Sequence, residues 1–190
     1  MIQSKSKLRL FYIKKRLNIS KLDRDLWSND IAKKCLELPI WEKEFFHIFL
    51  SIKEKNEVDT YPLLNLIREK NKQIIIPKIN GSNLNHYLFL EKISMQKNHF
   101  GIPEPLSGVE AKINLIEVVF VPLLVVDKDG NRVGHGKGYY DRFLKNCRKK
   151  TIKVGLSYFD VIDGISDSTV NDVRLNYCVT PNKIINFTIN

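Results

Sequence analysis

The chemistry of this chain concentrates in one stretch, Asp127-Lys-Asp-Gly-Asn-Arg-Val-Gly-His-Gly-Lys-Gly-Tyr-Tyr-Asp141. Gly134, Gly136 and Gly138 alternate there, and Lys137 stands between two of them. Glycines let a backbone turn sharply and bring its N–H groups close to a bound ligand. A helix beginning just beyond adds unpaired N–H donors and about half a unit of positive charge. With the full charge of Lys137, these features make an anion site suited to phosphate. Neither common phosphate loop fits the spacing. GxxxxGK[ST] would require glycine where Asn131 stands and a hydroxyl where Gly138 stands, and GxGxxG would require glycine at Tyr139. A Gly-rich turn serving backbone shape alone is the alternative reading.

Asp141 opens the helix that follows. There a carboxylate complements the helix dipole, worth ~0.3–1 kcal/mol. Beside phosphates it would repel them unless a cation lay between, and Mg²⁺ takes one or two carboxylates together with phosphate oxygens. Asp172, in the polar segment SDSTVNDVR, is a candidate second carboxylate.

These residues need elements to position them. Residues 4–18 carry basic and apolar positions at helical spacing, with Leu8, Phe11 and Tyr12 expected on one face. Ser20 is a suitable N-cap for a second helix to about Leu38, with Ile31, Cys35 and Leu38 on one stripe and Pro39 ending it. Residues 45–51 read as a buried strand, and Thr60 as the cap of a third helix with Pro62 in its first turn and Leu63, Leu64 and Ile67 inward. Residues 73–79 read as a buried strand ended by Pro77, and 86–93 as another beyond an NGSN turn. Residues 100–108 hold too much Pro and Gly for regular structure. A long buried strand over 116–127, bent at Pro122, leads to the glycine loop and its helix; 151–159 and 177–180 are the last strands. Helices and strands alternate without repeats or linkers. The expected architecture over 1–190 is therefore α/β: a single-domain, three-layer α/β/α arrangement with a largely parallel or mixed sheet and helices on both faces.

Composition bounds the function. The 190 residues are 43% hydrophobic and 27% charged, which excludes a disordered or low-complexity chain. Three cysteines without a CxxC spacing argue against a disulfide scaffold and a structural zinc site, and the four histidines form no metal cluster. No run approaches the ~18 apolar residues of a membrane span. The basic N-terminus lacks the apolar stretch of a secretory signal, although a transit peptide would have a similar composition. A soluble cytoplasmic protein is expected. The net charge of +10 attracts anions, and the scatter of the lysines favours small anions held at one site over a nucleic-acid backbone.

At the glycine loop the sequence resembles the 5-formyltetrahydrofolate cyclo-ligase family. The family hallmark is a strand ending in VP, an Asp a few residues on, and G-x-R-h-G-x-G-x-G-Y-Y-D-R. This chain has Val121-Pro122, Asp127 and GNRVGHGKGYYDRFL. KSKLR near the N-terminus, EVDT at 57–60, GIPEP at 101–105 and NDVRLNYCVT at 171–180 extend the resemblance over the full chain. Departures are Leu123, Leu124, Val125 and Val126 where members often carry Gly and Phe, Asn171 for a frequent His, and Asp59 for Glu in some members.

The resemblance implies an enzyme that uses ATP and Mg²⁺ to convert 5-formyltetrahydrofolate to 5,10-methenyltetrahydrofolate, ADP and phosphate. It implies ATP contacts from Lys5, Arg9, Arg132, Val133, Gly134, His135, Gly136, Lys137, Gly138, Tyr139 and Tyr140. Arg132 and Lys137 are then catalytic, Lys137 stabilising the transferring phosphoryl group. Folate contacts fall to Glu57, Asp59, His135, Gly136, Lys137, Gly138 and Tyr139, and Mg²⁺ to Asp141 and Asp172. The residues alone leave alternatives: a solvated basic face for Lys5 and Arg9, and core packing for Tyr139 and Tyr140. The expected partners are ATP and 5-formyltetrahydrofolate, including polyglutamylated forms, with no nucleic acid and no membrane, the chain acting as a monomer. The rival readings are a basic nucleic-acid-binding domain, another ATP-dependent kinase or ligase on a related scaffold, and an inactive relative.

Overall fold

In the computed structural model, which describes residues 2–188, period-two patterning sorts the strand side chains onto two faces. The helices α1 (Lys5–Leu17) and α2 (Lys21–Cys35) precede β1 (Phe45–His47). Next come α3 (Tyr61–Glu69), β2 (Gln73–Asn80), β3 (Asn83–Leu88) and the short strands β4 (Met95–Lys97) and β5 (Pro103–Pro105). The second half runs β6 (Val118–Pro122), β7 (Val125–Val126), β8 (Arg132–Val133), α4 (Tyr139–Asn146), β9 (Ile152–Leu156), β10 (Tyr177–Val179) and β11 (Ile184–Asn186). Seven strands form the central sheet in the order β11-β10-β9-β6-β1-β2-β3; only the edge strands β11 and β3 run antiparallel to their neighbours. None of the described helices is long and apolar enough to cross a membrane.

Phe46, Ile48, Ile74, Ile76, Val118, Phe120, Val154 and Leu156 face one side, where α1, α2 and α3 contribute Leu8, Ile31, Cys35, Leu63 and Ile67. The alternate residues Ile75, Val119, Val121 and Cys178 face the other side, against Phe143 and Leu144 of α4. The three-layer α/β/α arrangement with helices on both faces follows from this division.

Ser20 caps α2 as expected, its Oγ accepting from the Asp23 N–H at 3.0 Å. Several local expectations are corrected. Thr60 sits at the N-cap of α3 but its hydroxyl donates to the Phe49 carbonyl at 2.8 Å; the Tyr61 N–H is accepted by Asp59 Oδ1 at 3.1 Å. Phe11 is exposed, because the helix buries Leu8, Tyr12 and Arg16 instead. Helix α2 stops at Cys35, short of Leu38. Pro77 does not end β2. It pairs with His86 of β3, beyond Ile75, the last residue registered with β1, so no ladder bond needs its missing N–H. Residues 103–105, expected to be irregular, pair with β4. The strand after β5 breaks at Pro122, where the chain leaves the sheet, and Leu124 N–H bonds Val133 O at 2.8 Å to start the β7–β8 hairpin. The final strand is β11, a short segment among polar residues whose pairing depends on β10.

A dry aromatic group lies between β1, β3 and α4. The His47 ring is completely buried, 5.1 Å from His86 and 4.6 Å from Phe143. Neither His47 nitrogen nor His86 Nδ1 has a hydrogen-bond partner among the described residues. Burial lowers the His86 pKa to about 4, and burial followed by the charge of His86 holds His47 well below the ordinary imidazole value. The unfolded chain binds protons at these rings below about pH 6.5 while the folded chain refuses them, so stability is complete above that pH and drains away as pH falls. Urea unfolding should lose roughly 2 kcal/mol between pH 7 and pH 5 on account of the His86 ring alone. His86→Phe should make that dependence shallower, and an unaltered slope in the variant would exclude protonation of His86 as a contributor.

Candidate active site

The glycine loop is hung from Asp127, whose side chain is buried. Its Oδ1 accepts the N–H groups of Asp129 and Asn131 at 3.0 and 2.9 Å, and its Oδ2 accepts Ile165 N–H at 3.2 Å and Asn131 Nδ2 at 3.0 Å. These bonds close the 127–131 turn, and the hairpin then returns Arg132 beside Val126. The Arg132 guanidinium, largely buried, donates to Asp141 Oδ1 at 2.7 Å and to the Val173 carbonyl.

Beyond Arg132, Gly136 and Gly138 have φ of +85° and +71°, conformations that side chains resist. A Cβ on Gly136 would lie 3.0 Å from the Arg9 guanidinium carbon. At Gly134, by contrast, an added Cβ would have only the Pro122 carbonyl within reach, at 4.0 Å. Arg9 Nε donates to the Gly134 carbonyl at 2.9 Å, so α1 packs directly on the loop. Gly138 is the N-cap of α4, which places Asp141 in the first helical turn.

A cavity of about 540 Å³ opens at this loop. Lys5, Arg9, Arg132, residues 134–138 including Lys137, Asp141 and Asp172 line it. The remaining wall is mainly apolar, built by Phe49, Ile52, Ile79, Phe100 and Ile102, with Glu57, Glu104 and Lys55 among them. The expected basic, glycine and acidic residues are thus brought to one cleft. Asp59 is not among its lining residues, because its carboxylate is spent on the start of α3. The Val133 side chain points into the core beneath α1. Tyr139 borders the cleft and donates to Gly81 O at 3.3 Å, while Tyr140 both lines the cleft and packs on Phe143, its hydroxyl buried without a partner among the described residues.

Two acids hold their charge here. Burial would raise the Glu57 carboxyl, but the His135 hydrogen bond (2.9 Å to Oε1), the Arg16 charge and the Ile52 N–H (2.8 Å to Oε2) hold it below the ordinary range. Burial likewise opposes the Asp172 charge and is outweighed by Lys5, whose Nζ lies 2.6 Å from both oxygens, and by the Thr169 N–H. Asp141 keeps its guanidinium partner. Among the described residues, no three His, Cys, Asp or Glu side chains gather to hold a metal ion. Two carboxylates are nevertheless what Mg²⁺ takes where phosphate oxygens and water complete its shell, and Asp141 and Asp172 are of the donor type that ion uses.

Arg16 was not found by sequence reasoning. Its buried guanidinium lies 3.4 Å from His135 Nε2 and 3.9 Å from Glu57 Oε1. The signal was present, since Lys5, Arg9, Tyr12 and Arg16 fall on one helical stripe. The part played by Asp127 was also missed; only its place in the motif was noted.

A family model for the 5-formyltetrahydrofolate cyclo-ligase family matches residues 1–181. The chain is 32% identical to the 5-formyltetrahydrofolate cyclo-ligase of Haemophilus influenzae over 162 residues, covering 82% of this chain and 86% of that one. The solution structure of Aquifex aeolicus 5,10-methenyltetrahydrofolate synthetase superposes with a TM-score of 0.84 at 30% identity, covering 98% of this chain and 94% of that one. A 5,10-methenyltetrahydrofolate synthetase from Mycoplasma pneumoniae shares the fold, with a TM-score of 0.72 at 21% identity over 93% of this chain and 98% of that one.

Asp127→Asn keeps the size of the side chain but turns an amide N–H toward backbone donors. The loss should be about 2–4 kcal/mol of unfolding free energy, since bonds to a charged group are worth ~1.5–3 kcal/mol each. Denaturant titration measures it; a change under 0.5 kcal/mol, the scatter of ordinary surface substitutions, would refute the role given to this carboxylate.

Proposed function

The chain belongs to the 5-formyltetrahydrofolate cyclo-ligase family, and on that premise we propose that its cleft cyclises 5-formyltetrahydrofolate to 5,10-methenyltetrahydrofolate at the expense of ATP. One observation carries the reading: a glycine–lysine phosphate cradle and an apolar wall bearing a charged carboxylate share a single cavity.

The formyl oxygen is a poor leaving group and is activated by attack on the γ-phosphorus, with ADP departing. N10 then attacks the formyl carbon and loses its proton, and phosphate leaves carrying the former formyl oxygen. Such phosphoryl transfer needs positioning and charge stabilisation rather than a protein nucleophile. Lys5, Arg9 and Arg132 bind the phosphates, the 134–138 N–H groups orient them, and the Lys137 ammonium meets the charge that develops on the moving group. Mg²⁺ held by Asp141 and Asp172 would neutralise phosphate charge. Glu57, kept ionised by Arg16 and His135, accepts from the donor-rich edge of the pterin, and the apolar wall excludes water from the activated formyl group. Three free thiols, at Cys35, Cys147 and Cys178, suit a reducing compartment, which supports the cytoplasm as the place of reaction.

Supplying 5-formyltetrahydrofolate with Mg·ATP should generate the methenyl chromophore, and its absence with folded protein would refute the proposed reaction. Lys137→Ala should lower turnover by a factor of about 10²–10³, the usual cost of one electrostatic contact to a transition state, with unchanged thermal unfolding. Normal turnover in this variant would remove the ammonium from the chemical step.

A further inference from the structure

The wall that carries Glu57 is held from behind by two buried hydroxyls that do not themselves line the cleft. Tyr158, two residues past β9, donates from its hydroxyl to the Glu57 carbonyl at 3.0 Å. Ser28 of α2 lies 2.8 Å from the same phenol oxygen and accepts the Asp59 N–H at 3.0 Å. The ends of this chain of bonds settle its direction. The Glu57 carbonyl can only accept, so Tyr158 gives its proton there and accepts from Ser28. The Asp59 N–H can only donate, so the Ser28 oxygen receives it while the Ser28 proton goes to Tyr158. Burial pushes the Tyr158 hydroxyl up to about 12, which keeps it a donor at neutral pH. Each hydroxyl thus donates once and accepts once, and together they grip the backbone on both sides of Val58.

Resting on the folate reading above, we infer that Tyr158 and Ser28 are positioning residues for the folate half of the cleft: they hold the 57–59 backbone where the Glu57 carboxylate meets the pterin. The carboxylate's other supports do not do this alone. His135 lines the cleft and is 34% exposed, so an arriving ligand disturbs it. Arg16 stands 3.9 Å away, too far to orient the group through a hydrogen bond. The clamp from behind, by contrast, is out of a ligand's reach and stays the same whether the cleft is empty or filled. It is also local. None of its bonds touches Lys5, Arg9, Arg132 or the 134–138 loop, and that loop is hung from Asp127 instead. The two halves of the cleft therefore have separate anchors, and loosening one leaves the other in place.

Steady-state kinetics of the full chain carrying Tyr158→Phe or Ser28→Ala, with each substrate varied in turn, test this. Each variant should raise KM for 5-formyltetrahydrofolate about 3–10-fold, the net worth of one hydrogen bond, with kcat and KM for Mg·ATP within about twofold of wild type. The two hydroxyls act through one chain of bonds, so the double variant should be no worse than the poorer single one. Ser28→Ala carries the test should Tyr158→Phe fail to fold. A role in packing alone would move both KM values together as the unfolding temperature falls, and that result would overturn the inference. So would a folate KM unchanged in both variants. Wild type that binds Mg·ATP but neither binds nor converts 5-formyltetrahydrofolate would overturn the folate reading itself, and the inference with it.

Discussion

A single buried carboxylate fixes the relation between the segments that make the cleft. Asp127 gathers the N–H groups of its own turn and that of Ile165. The first set determines where the chain re-enters as β8, and so where Arg132, the glycines and the start of α4 lie. The second ties that turn to the 165–172 segment, which continues to Asp167 and Asp172. Asp167 Oδ1 accepts the Lys5 N–H at 2.7 Å, and Gln3 bridges to Ile165, so the same segment seats the first helix. Three stretches distant in sequence are thereby referred to one side chain.

Helix α1 shows what recruitment to a polar cleft does to a helix. Lys5, Arg9 and Arg16 face inward, while Leu10 and Phe11 are 74% and 58% exposed. Its apolar residues are distributed against the usual rule because the surface it covers includes a polar cleft, not only the sheet. Arg16 tolerates burial through Glu57 and His135, and it repays them by keeping the Glu57 charge in an otherwise apolar wall. Ion pairing here supports the chemistry more than the fold, since desolvation offsets most of the attraction.

This inversion also explains which parts were legible in the sequence. The central strands announced themselves through consecutive or alternating β-branched residues, the cap of α2 through Ser20, and the glycine loop through glycines around a lysine. Those signals are local, set by backbone sterics and by neighbours within a few residues. Phe11 was misplaced because helical periodicity gives a face but not what the face meets. Asp59 and Glu57 could not be separated by spacing, since one carboxylate is taken by its own helix start and the other is turned inward by partners on α1 and the glycine loop. Pro77 looked like a strand terminator because the edge it faces, and hence the bond it does not need, is a property of the whole sheet. β11 escaped for the same reason: three residues become a strand only when β10 supplies the ladder.

The unequal surroundings of the loop glycines carry an implication for how the site can vary over generations. Gly136 and Gly138 are demanded by the chain itself, through left-handed backbone angles and the nearness of Arg9 and Arg142. Gly134 has room for a methyl group in the folded chain. Mutational drift at 136 or 138 is checked by folding before any molecule is bound, whereas drift at 134 meets resistance only from an occupant of the cleft. Position 134 is therefore where a lineage, or a selection experiment, can reshape the cleft without first rebuilding the scaffold.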